Sequence, residues 1–151
     1  MNDSHRLPTF FGRATVAFDG HLELRESARV LRHYCRRRTS AVAEGAAEPP
    51  SIASFVAQVV AHFALEEGEN YFGVLAADVP ELVEHIARLR FEHRAMREDL
   101  ARLAALADLR PVSASFAEEL GRFIDRLEVH ERGESALLEK FFFGEEQRAE
   151  R

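Results

Sequence analysis

His62 and Glu66 stand four residues apart, and His130 and Glu134 repeat that spacing. In a helix, positions i and i+4 stack two side chains on one face, one turn apart. An imidazole and a carboxylate so placed can both offer a donor atom to metal, one terminally and the other reaching across to a second ion. The surrounding strings are alike, HFALEEGENYF at 62–72 and HERGESALLEKF at 130–141, which suggests a pseudo-repeat of two helical hairpins. Two further histidines, His21 and His93, join these four residues once the elements that carry them are laid out.

Those elements are helical. Alternating β-branched and aromatic runs are missing, and Ala, Leu, Arg and Glu dominate. A polar arm with Pro8 precedes a first helix from about Asp19–Gly20 to Thr39. The stretch Ala41–Pro50, with Gly45, Pro49 and Pro50, reads as a loop. Ser51 is placed to cap a second helix that fades near Ala76. Asp78 and Pro80 start a third, ending around Asp108 before Pro111. Ser113 or Ser115 caps a fourth, which Gly144 stops after Phe143. The expected architecture is an all-α, antiparallel up-down four-helix bundle over 17–143, with an N-terminal arm over 1–16 and a polar tail over 144–151.

Each helix carries an inward stripe stepping by three and four residues. The stripes are Ala17, His21, Leu24, Ala28, Leu31, Cys35; Ile52, Phe55, Val59, His62, Glu66; Leu82, Ile86, Leu89, His93, Met96, Leu100, Leu103; and Phe116, Leu120, Phe123, Leu127, His130, Glu134, Leu137, Phe141. Only four histidines and two glutamates interrupt their apolar character. His33 and His85 fall between stripe positions, and His5 lies in the arm. Heights agree as well. His62 lies 14 residues before Ala76 and Pro80 lies 13 before His93, while His93–Asp108 and Ser115–His130 both span 15. His85 is displaced from His93 by ~12 Å along the axis, and His33 from His21 by ~18 Å, too far to share a metal.

Two carboxylates and four imidazoles in one dry layer need positive charge to balance them, because a buried unpaired carboxylate costs several kcal/mol. A pair of divalent cations supplies it, with a polar interior network as the alternative. Mixed imidazole and carboxylate donors suit iron, manganese or zinc, whereas calcium and magnesium favour oxygen alone. Each ion would take two histidines and share two bridging carboxylates. That leaves room for an oxo or hydroxo bridge and an open position, which on iron implies dioxygen, nitric oxide or peroxide as ligand.

The pattern resembles the hemerythrin-like, or HHE cation-binding, family. It does so through Asp19-Gly20-His21 followed by Leu24-Arg25, His62-x-x-x-Glu66-Glu67 ending in Tyr71-Phe72, Glu92-His93, and His130-x-x-x-Glu134, over about residues 17–143. The resemblance implies a non-haem di-iron centre (Fe2+/Fe3+) in a four-helix bundle, with Glu66 and Glu134 as bridges and the four histidines as terminal ligands. Oxygen-carrying hemerythrins place a second histidine one turn from the third-helix ligand, where this chain has Leu89 and Arg97. They also place an aspartate five residues after the fourth-helix histidine, where this chain has Ser135. The pattern looks closer to the symmetric four-histidine, two-glutamate centre of the iron–sulfur repair and nitric-oxide-handling branch.

The remaining features fit a protein acting on small molecules. A net charge of −6 argues against nucleic acid or an anionic membrane as main partner. No apolar run approaches the ~20 residues of a membrane helix. The basic run Arg36–Arg38 fits a helix C-terminus. One cysteine, Cys35, excludes an intramolecular disulfide and fits a cytoplasmic protein with an inert buried thiol. Tyr71 is expected to pack, and Glu67 and Glu131 to be solvated or to back the ligands. Phe141, Phe142 and Phe143 cannot all face one core; Phe10 and Phe11 would cover them, with a homodimer contact as the alternative. The leading expectation is a protein that binds or senses a small oxidant. A di-iron enzyme acting on nitric oxide or peroxide, an iron–sulfur repair protein or iron donor, and an iron-responsive or metal-free interaction module are its alternatives, and a protein redox partner is compatible with the first three.

Overall fold

The computed structural model describes residues 7–39, 51–68, 71–108 and 114–149, with side chains described over 20–37, 51–68, 71–107 and 114–140. Four long helices, α1 (Leu7–Thr39), α2 (Ile52–Glu67), α4 (Val83–Asp108) and α5 (Ala114–Ala149), form an all-α bundle. A short helix, α3 (Phe72–Asp78), and one 3₁₀ turn, Pro80–Leu82, link α2 to α4. No helix among the described residues is long and apolar enough to cross a membrane.

Each long helix packs on two neighbours, in the ring α1, α2, α4, α5 and back to α1. Directions follow from the core. A large apolar cluster takes residues after His21 on α1, up to Phe63 on α2, after His93 on α4 and before His130 on α5. Higher numbers therefore run alternately toward and away from that end, which is up-down connectivity. A second cluster, including Tyr71, Phe72, Leu75, Ile86, Leu89 and Leu137, fills the opposite end. Between the two lies a polar layer, and the six residues of the stripes are in it.

Ser51 caps α2 as its sequence suggests, with its hydroxyl accepting from the Ser54 N–H at 3.1 Å. Other boundaries differ. Helix α1 begins at Leu7, inside the expected arm, with Pro8 in the first turn, where its missing N–H leaves no hydrogen bond unmade. Helix α5 continues through Gly144 to Ala149, carried by a run of helix formers that outweighs one glycine. Helix α2 ends at Glu67 rather than near Ala76, and the Gly68 N–H bonds the Ala64 carbonyl at 3.2 Å. That break redirects the chain so that Tyr71, Phe72 and Leu75 close the second cluster. The Ala41–Pro50 loop, a Ser113 cap, His5, and the side chains of Ala17 and of Phe10, Phe11 and Phe141–Phe143 lie outside the described residues.

Candidate metal centre

All six stripe residues converge. His21 on α1, His62 and Glu66 on α2, His93 on α4, and His130 and Glu134 on α5 are buried, with Glu66, His93 and Glu134 at 0% exposure. His33 is exposed. His85 is half-buried, its Nδ1 without a hydrogen-bond partner.

Glu66 is the hub. Its Oε1 lies 2.9 Å from His21 Nε2 and abuts His62 Nε2, and its Oε2 lies 3.1 Å from His93 Nε2. Glu134 leans to one side, with Oε2 3.0 Å from His21 Nε2 but 4.0 Å from His130 Nε2. The donors thus fall into two groups joined through Glu66: His21, His62, Glu66 and Glu134, and Glu66, His93 and His130. The symmetric sharing of both carboxylates expected from the sequence is not what this geometry has. Burial opposes a charge on the His21 ring, yet the adjacent Glu134 and Glu66 carboxylates outweigh burial and raise its pKa to about 10. At neutral pH the His21 ring is therefore protonated in the metal-free layer.

Carboxylates outside the layer orient the other pair. The Nδ1–H of His93 donates to Glu67 Oε1 at 2.9 Å, and Arg97 holds that carboxylate with two bonds of 2.9 and 3.0 Å. The Nδ1–H of His130 donates to Glu92 Oε2 at 2.7 Å. Those contacts turn both Nε2 atoms inward, where they face one another at 2.8 Å. Phe63 stacks on His93 with centroids 4.0 Å apart and rings 13° from parallel, and Phe72 stacks on it at 5.7 Å.

The charges are unequally held. Burial works to raise the Glu66 pKa, but the His21, His62 and His93 rings against it hold it well below the carboxylate range. Burial pushes Glu134 up to about 8, and the neighbouring Glu66 charge adds to it against the His21 bond. The His130 pKa is lowered, chiefly by burial. Glu131 is 2% exposed, and burial raises its pKa although Arg25 Nε donates to it at 3.1 Å.

This layer is unfinished as a purely protein network. His62 Nε2, Glu66 Oε2 and both Glu134 oxygens are buried without a hydrogen-bond partner. Each such atom costs on the order of 1–3 kcal/mol. Inward-facing imidazole nitrogens and orphaned carboxylate oxygens are the donor set a cation satisfies, so these residues fit a bound metal. The profile of the hemerythrin HHE cation binding domain matches residues 18–141.

The chain belongs to the hemerythrin HHE cation-binding family. That span runs from α1 into α5 and includes all six residues of the layer. Neither the curated proteins nor the solved structures contain a significant match to the chain. Several residues of this HHE domain escaped the stripe argument. Glu92 is seen there only as a neighbour of His93, and Phe63 not at all. Tyr71 packs in the second cluster as expected, but its hydroxyl has no hydrogen-bond partner, and burial together with the charges of Glu134 and Glu66 raises its pKa. The break at Gly68 places it in that cluster. The signal for Glu67 and Glu92 was available: a ligand histidine needs an acceptor for its second ring nitrogen.

Proposed function

We propose that this HHE domain holds two iron ions in the polar layer and uses them to bind or sense a small oxidant, dioxygen or nitric oxide. One ion would be held by His21, His62, Glu66 and Glu134, the other by Glu66, His93 and His130. The reading is carried by one observation: Glu66 faces three imidazole Nε2 atoms from three helices inside a layer that has orphaned donors on both sides. Imidazole and carboxylate without thiolate suits iron. Cys35 is buried in the large apolar cluster, its thiol pKa raised by burial, and a reducing cytoplasm is the proposed compartment.

Iron bound there would supply open coordination positions and a one-electron redox couple. The protein's part is to fix the donors and keep bulk water out. Glu67 and Glu92 hold the His93 and His130 rings with Nε2 inward, while Phe63 and Phe72 cover His93. Expression in iron-supplemented medium followed by mass-spectrometric metal analysis is expected to give about two ions per chain; less than about half an ion counts against the reading. Absorption in the near ultraviolet under air, or after nitric oxide, is expected to change only in the iron-loaded protein.

Removing an orienting carboxylate tests the ring geometry separately. Glu92→Ala is expected to weaken metal binding about 10–100-fold in competition with a chromophoric chelator. Glu98→Ala, on the exposed side of α4, should leave the affinity at the parent value. Equal affinities for both variants would show that Glu92 does not set the His130 ring.

A further inference from the structure

A surface cleft of about 470 Å³ opens between α1 and α2 and ends on His62. Gly20, Glu23 and Leu24 line it from α1, and Gln58, His62 and Leu65 from α2. The His62 ring can sit at this wall because position 20 has no side chain: a Cβ there would stand 2.8 Å from His62 Nδ1. The opposite ring nitrogen, Nε2, abuts Glu66 and has no hydrogen-bond partner. One imidazole ring therefore separates the cleft from the central carboxylate. His62 is also the most exposed of the six residues, at 6%. On the far side of the layer, stacked aromatic rings and the Arg97–Glu67 pair cover His93.

We propose that this cleft is the port through which a hydrated divalent cation reaches the centre, with Glu23 drawing it to the mouth and His62 taking it first. The proposal rests on the two-metal reading. A hydrated cation gives up its waters only where oxygen or nitrogen donors replace them stepwise, and Glu23, Gln58 and His62 provide such a series between the apolar walls of Leu24 and Leu65. Glu23 is exposed at the mouth, where a carboxylate raises the local cation concentration. The His62 ring, which already packs against Gly20, would take the ion from the cleft and pass it to Glu66 on the opposite side of the ring.

The test is stopped-flow uptake of Co2+ by the full metal-free chain, read by visible absorbance, with final stoichiometry measured on the same samples. Leu65→Trp, which fills the mouth, is expected to slow uptake about tenfold without lowering the final loading, as expected of a blocked gating step. Glu23→Gln, an isosteric change at an exposed site, is expected to slow uptake several-fold at low salt, with the difference vanishing at high salt. Val83→Trp, a similar change at an exposed site on α4, should load at the parent rate. Full loading at parent rates in both cleft variants overturns the port and leaves the metal centre standing. Failure of the parent chain to take up Co2+ removes both.

Discussion

Adding Fe2+ or Co2+ to the metal-free chain is expected to raise its Tm by about 10 °C, and Glu66→Gln is expected to abolish that rise. A ligand bound only by the folded state, at a thousandfold excess over its Kd, stabilises by about 4 kcal/mol. For a domain of this size, 1 kcal/mol moves Tm by about 2–4 °C. The choice of Glu66 follows from its place in both donor groups, since its two oxygens serve His21 and His62 on one side and His93 on the other. An amide offers one oxygen and no charge, so Glu66→Gln should impair both positions. Glu134 belongs to the first group only, and Glu134→Gln should keep part of the rise. Comparing each variant with its own metal-free form cancels the change that the substitution makes to the fold. Scanning calorimetry with and without metal reads the effect. An undiminished rise in Glu66→Gln would remove Glu66 from the centre.

The stripe argument located the layer because it rests on something that helices enforce. A residue facing the core recurs every three or four positions, and a charged residue there stands out against Leu and Phe. That is why His21, His62, Glu66, His93, His130 and Glu134 were legible, and why His33 and His85 were set aside. The same argument is blind one residue to either side. Glu67 and Glu92 sit at the edges between helices, where a glutamate looks like any solvated residue until the second nitrogen of a neighbouring histidine needs an acceptor. Glu131 follows His130 directly and is buried as well, because α1 covers that edge of α5 and brings Arg25 to it. Boundaries were less legible for another reason. Gly68 and Gly144 are the same residue type in helical context, yet the chain breaks at one and continues through the other. What decides is downstream. After Gly68, Tyr71, Phe72 and Leu75 have an apolar cluster to fill, whereas after Gly144 the chain continues in glutamate, glutamine and arginine.

Metal-free and metal-loaded protein are expected to respond to pH in opposite directions. In the metal-free chain the His21 pKa is raised to about 10, so its pairing with Glu134 and Glu66 contributes stability that is complete below the ordinary histidine value. That contribution declines as pH rises above about 6.5 and is gone once pH passes the raised value. Glu134, raised to about 8 by burial, acts in the same direction. Between its ordinary value and 8 the unfolded carboxyl ionises while the folded one resists, so the folded state loses ground as pH rises. Glu66, held low by its three histidines, contributes stability that is lost only as pH falls into the acid range. The metal-free bundle should therefore lose stability steadily from about pH 5 to pH 10. Metal reverses the slope, because it binds the neutral imidazole of His21 and the ionised carboxyl of Glu134 and must displace a proton from each. Near pH 7 that is about two protons per loaded chain, so the overall loading constant should rise about a hundredfold per pH unit. Calorimetric titration with Co2+ in two buffers of different ionisation enthalpy counts those protons directly. A loading constant that ignores pH between 6 and 7.5 would mean that His21 and Glu134 are not where the metal goes.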